Sequence, residues 1–169
     1  MLLQRLRRPW DELRTRLEET QRAAVARLCA QFDELGAEDP AEWARSEVGE
    51  DIPQLARFLV LRSLWRQAVD GWSRPDAIEH IAAGRRLLRD GAAREDLVRL
   101  ARAAAYEAVL AVLTVIDEGR DGEAPGDCPG WLLLEVDEDC HQTGRVVDGL
   151  SEDFLTTDPS GRDGADLWK

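Results

Sequence analysis

Pro53-Gln-Leu-Ala-Arg-Phe-Leu-Val-Leu-Arg-Ser-Leu-Trp-Arg-Gln-Ala-Val-Asp-Gly-Trp72 is the stretch that decides the fold. Leu55, Phe58, Leu59, Leu61, Leu64, Trp65, Val69 and Trp72 recur at helical spacing, and only Arg62, Arg66 and Asp70 make a polar stripe. A helix that is apolar over most of its circumference has to be central. Asp51 reads as its cap and Pro53 as a first-turn residue, while Gly71 and Ser73-Arg74-Pro75 end it. Trp65 and Trp72, seven apart, read as core residues on one face.

Toward the C-terminus, residues 76–89 predict a further helix with Ile78, Ile81 and Leu88 inward. Asp90-Gly91 is a turn. Residues 93–118 predict a second buried helix that becomes apolar all round from Ala104 to Ile116. Its Ala101, Ala104, Ala105 and Ala108 would let a neighbouring helix approach closely. Toward the N-terminus, residues 41–48 predict a short acidic helix, and residues 1–36 one long helix. Leu3, Leu6, Trp10, Leu13 and Leu17 step by threes and fours, and the seam runs on through Ala24, Leu28, Phe32 and Leu35. Pro9 suits a first turn, so residues 2–8 read as a lead-in. The seam fits either a dimer through residues 1–36 or packing on the chain's own body.

After residue 118 the period changes. A Gly/Pro/Asp loop leads to Trp131-Leu-Leu-Leu-Glu-Val136, a strand, and Arg145-Val-Val-Asp148 is its short return. A β-hairpin alone is marginal in water, so it must lie against the helices. Residues 149–155 allow one helical turn, and the last dozen residues need a groove for Leu167 and Trp168. The expected fold is mainly α: a bundle of four to five helices with a long N-terminal helix and a small C-terminal β-hairpin docked on it. Residues 1–36, 37–120 and 121–169 form successive parts of one domain.

Charge is distributed unevenly along the chain. The net charge is −12, yet residues 121–169 hold thirteen acids against Arg145, Arg162 and Lys169, while the first 120 residues are nearly balanced. Such an acidic region suits a positively charged partner and disfavours direct binding of nucleic acid, which the small Arg5, Arg7, Arg8 cluster cannot offset. Twenty-one arginines against one lysine suggest a GC-rich bacterial coding bias. The start, MLLQRLRRPW, has no long apolar leader, and the longest apolar run is far shorter than the roughly 20 residues of a membrane span. Cys29, Cys128 and Cys140 have no framework spacing and fit reduced thiols in a cytoplasmic protein.

Motifs that would carry chemistry are weak. Asp137, Asp139 and His141 resemble the start of a calcium loop, but Gln142 stands where it needs glycine and Asp148 where it needs glutamate. Cys128, Cys140, His141 and His80 lack zinc-site spacing, so no metal and no cofactor is expected. Glu107 is an acid among Leu100, Ala103, Ala104, Leu110 and Ala111. It suggests a buried ion pair with Arg62 and Arg66, or else a perturbed acid in the cleft of an enzyme.

The leading functional expectation is a non-catalytic, acidic, cytoplasmic protein-binding module. It would occlude a basic partner such as a nuclease or toxin, as an immunity protein or antitoxin does. Glu135, Asp137, Glu138, Asp139 and Asp148 are the expected contact surface, with Trp131 as an aromatic anchor. The alternatives are an oligomeric scaffold assembled through residues 1–36 and an enzyme built on Glu107.

Overall fold

The computed structural model describes the backbone from Leu2 to Trp168 and side chains from residue 14 to residue 168. Among the described residues it is mainly helical: α1 (Leu2–Leu35), α2 (Pro40–Glu50), α3 (Gln54–Leu64), α4 (Ala82–Arg89), α5 (Arg94–Glu118), α6 (Leu150–Asp153) and α7 (Ala165–Trp168). Strands β1 (Leu134–Val136) and β2 (Gln142–Val146) form one antiparallel hairpin. The chain divides into two compact units that meet at Leu55. The side chains of Leu3, Leu6, Trp10, Leu13 and the Arg5, Arg7, Arg8 cluster lie outside the described residues.

The first unit is a helical hairpin. α1 runs without a break from Leu2 through Pro9, so no separate lead-in precedes it. A proline inside a helix forfeits one hydrogen bond without having to end the helix. α2 is capped by Asp39, whose carboxylate accepts the Glu42 N–H at 3.1 Å, with Pro40 opening the first turn. Leu28, Phe32 and Ala44 are buried, and the Phe32 and Trp43 rings stack at 5.8 Å. Asp51 closes α2 in a left-handed conformation, and the buried Glu47 carboxylate accepts the Leu55 N–H at 2.8 Å in the first turn of α3.

The second unit holds the main core: Leu61, Trp65, Val69, Tyr106, Leu113, Val147, Leu150, Phe154 and Leu167. The Tyr106 and Phe154 rings are nearly parallel at 5.1 Å, and the Trp65 indole donates to the Phe154 carbonyl at 2.6 Å. The predicted central helix ends at Leu64 and passes into a wide π-turn over Trp65–Val69, then a 3-10 turn over Asp70–Ser73. This change of winding shifts the phase of every later residue. Trp65 stays in the core, whereas Trp72 leaves it and lines an open groove.

Residues before Ala82 form turns instead of the predicted helix, and Ile81 is extended. Gly84 explains the tight join: a Cβ there would lie 2.3 Å from the Ile78 carbonyl oxygen. The α5 helix is not buried all round. Tyr106 and Leu113 are inside, but Leu100, Val112 and Val115 face water. Ala101, Ala104 and Ala105 line a groove of about 370 Å³ with Trp72, Ile78, Ile81 and Leu97, and among the described residues no helix fills it.

Buried charge is arranged differently from the expectation. Glu107 is exposed, and no ion pair joins it to Arg62 or Arg66 among the described residues. Burying a carboxylate costs far more than leaving it wet, and α5 has an open side to leave it on. The pairs that tie the unit together are Arg57 with Asp153 at 2.6 Å, and Arg102 with both Asp70 and Asp166. Asp117 caps α6 through the Leu150 and Ser151 N–H groups, joining the end of α5 to the C-terminal segment.

Candidate functional site

The hairpin is shorter and shifted from its predicted place: residues 131–133 are irregular and β2 begins at Gln142. Leu134 pairs with Val146 and Val136 with Gln142, so Glu135 alone opposes Thr143, Gly144 and Arg145. Gly144, at φ +86°, makes this bulge possible. The bulge turns Thr143 and Arg145 toward the same carboxylate. Arg145 donates to both Glu135 oxygens, at 2.8 and 2.6 Å, and Thr143 Oγ1 donates at 2.7 Å. Glu135 is therefore a neutralised structural acid and is not available as a contact for an incoming cation.

Asp137 is also occupied. Its Oδ1 accepts the Asp139 N–H at 3.0 Å and the His141 N–H at 2.9 Å, shaping the hairpin tip, with His141 Nδ1 3.6 Å away. Glu138, Asp139 and Asp148 are exposed and have no arginine or lysine partner among the described residues. The same holds for Asp121, Glu123 and Asp127 in the loop after α5. Of the thirteen C-terminal acids, Glu135, Asp153 and Asp166 are held by arginines. Asp158 is buried, accepting from Ser160 and the Gly164 N–H.

Trp131 is 40% exposed, and its indole N–H donates to the Val115 carbonyl at 3.0 Å. That bond and the Trp131 N–H to Gly119 carbonyl bond, at 2.8 Å, fix the ring against the last turns of α5. Val112 and Val115 on α5, and Leu132, Leu133 and Val136 after Trp131, are also exposed. Their exposure was missed in the sequence, although it left a signal: three consecutive leucines cannot all face inward in a strand whose side chains alternate. Trp168, also exposed, meets Tyr106 edge-on, and Leu167 is buried beneath it.

Among the described residues no three His, Cys, Asp or Glu side chains gather as metal ligands, and no helix is long and apolar enough to cross a membrane. Burial, followed by the Glu107 charge, raises the Tyr106 pKa above its ordinary value. A cleft of about 580 Å³ in the first unit is lined by Glu18, Arg22, Val25, Cys29, Arg45 and Val48. No known protein family matches the chain, and no curated protein and no solved structure is detectably similar to it.

Proposed function

We propose that the chain is a non-catalytic binding module that occludes a basic partner protein, in the manner of an immunity protein or antitoxin facing a nuclease or toxin. The observation that carries this reading is the fixed, exposed Trp131, followed in sequence by the exposed Leu132 and Leu133, with acids that lack a cationic partner in the flanking segments. A rigid aromatic is the side chain best suited to anchor an interface, and free carboxylates in the same region of the chain accelerate encounter with a cationic surface. Glu138, Asp139, Asp121, Glu123 and Asp127 are the acids for this task. Glu135 and Asp137 hold the hairpin in shape behind them.

The test is co-expression with the products of neighbouring genes, followed by association kinetics on any complex recovered. The on-rate falls steeply with added salt, and Glu138→Lys with Asp139→Lys lowers it further. A complex whose on-rate ignores both salt and these substitutions rules the reading out. Asp137 is unsuitable for charge reversal because its loss would also unmake the turn.

A second reading, self-association through the first 36 residues, has one observation in its favour. At ordinary helical rise α1 is about 50 Å long and α2 about 16 Å. Leu17, in the seam, is 57% exposed. Light scattering on the full chain and on Leu17→Asp distinguishes this role: a dimer that the substitution dissociates supports it, and a monomer at all concentrations removes it.

A further inference from the structure

We propose that the outer edge of β1 receives an extended segment of the basic partner as a third strand. This inference rests on the binding reading above and adds a backbone component to it. Among the described residues the sheet has two strands, so β1 is paired on one side alone. The Val147 N–H donates to the Leu133 carbonyl at 2.8 Å, and the Asp137 N–H to the His141 carbonyl at 2.9 Å. With Leu134 opposite Val146 and Val136 opposite Gln142, the ladder bonds fall on residues 133, 135 and 137. The N–H and C=O groups of Leu134 and Val136 therefore point away from β2. Among the described residues neither N–H has an acceptor.

Proteins ordinarily blunt such an edge with lysine, proline or a bulge. None of these is present between residues 131 and 136, and the bulge of this hairpin lies on β2. Val136 on β1, 51% exposed, and Leu132 just before the strand, 70% exposed, have their side chains in water. An added strand would lay its own apolar residues beside them, while its main chain pairs with Leu134 and Val136. Charge selects the occupant. The strand runs into Asp137, Glu138 and Asp139, so the incoming segment alternates apolar residues with arginine or lysine. A second copy is disfavoured because edge-to-edge pairing would bring together two chains of net charge −12, each carrying this acidic tip.

The probe is a short synthetic peptide of alternating valine and arginine, added to the full chain. Its control has the same charge but proline in place of every valine, which prevents strand pairing. The alternating peptide slows amide hydrogen exchange at Leu134 and Val136 by about tenfold or more, and the control does not. Val136→Pro removes one outward donor and leaves the ladder intact, so it reduces binding of the alternating peptide to the level of the control. Equal binding of both peptides with exchange unchanged overturns strand docking and leaves the charge-based reading standing. Failure of both to bind at low salt overturns that reading too. Slow exchange without peptide, together with a doubled mass, assigns the edge to a second copy and overturns the basic occupant.

Discussion

Arg102 and Asp166 lie 64 positions apart and meet in a 2.5 Å hydrogen bond, while the other terminal nitrogen of Arg102 holds Asp70 at 2.9 Å. One guanidinium thus fastens the 3-10 turn after the central helix and the C-terminal α7 to the middle of α5. Its stem and head are nearly enclosed, with the side chain 12% exposed. Removing Arg102 takes the cation from Asp70 and leaves Asp166 with Arg162 alone, at 3.0 Å.

Arg102→Met therefore lowers stability by about 2–4 kcal/mol, somewhat less than for a fully enclosed pair because Asp70 keeps contact with water. Urea unfolding of the full chain measures it. A loss under about 0.5 kcal/mol, the size of an ordinary surface change, would contradict the assigned role.

Acid should weaken the same fastening. Burial pushes the Asp166 pKa up, but the Arg102 hydrogen bond and charge, with Arg162 nearby, outweigh burial and hold it below the usual carboxylate value. A carboxylate depressed only in the folded state contributes stability above its unfolded pKa, about 3.9, and loses it as pH falls through the lower folded value. Asp166→Asn is thus less stable than the parent at neutral pH, and the gap closes below about pH 4. A gap that stays constant from neutral pH to pH 2.5 would refute the linkage.

Gly84→Ala places a methyl group 2.3 Å from the Ile78 carbonyl oxygen and 2.8 Å from its Cγ2. Backbone cannot swing aside as a flexible side chain can, so the cost is about 1–3 kcal/mol. Gly71→Ala meets nothing within 4 Å and serves as the comparison. Equal melting temperatures for the two variants would show that the 74–84 turns are looser than their geometry implies.

Glu107→Ala changes stability by less than about 0.5 kcal/mol, as expected for an exposed residue with no ion pair among the described residues. Calorimetry decides it. A larger fall would restore a structural role for this carboxylate and require a partner that the fold does not place beside it.

Much of the secondary structure follows from short-range pattern. Apolar residues at helical spacing locate α1, α3 and α5, Gly36 and Gly91 punctuate them, and the change of period after Glu118 announces a hairpin. Local rules failed where a distant group supplied the better partner. Asp51 has the chemistry of a cap, yet the helix end it closes is that of α2, and Glu47 accepts the Leu55 N–H in the first turn of α3. Glu107 and Arg62 have the chemistry of a pair, yet Glu107 lies on the open side of α5 and stays in water. Arg102 gave no local sign of its importance because its partners are supplied by other parts of the chain.

The candidate surface divides in the same way. Sequence alone determined the excess of carboxylates after residue 120, since charge belongs to residue type, and the helical class, since periodicity is a property of neighbours. Only the tertiary structure decided which carboxylates remain free. Arg145, Arg57 and Arg102 draw Glu135, Asp153 and Asp166 into pairs, while Glu138 and Asp139 stay in water. It alone also fixed Trp131 outward against Val115, because a hydrogen bond between a loop and the end of a helix depends on how the chain returns. Pairing and exposure are set by distances across the fold, which residue order does not encode locally.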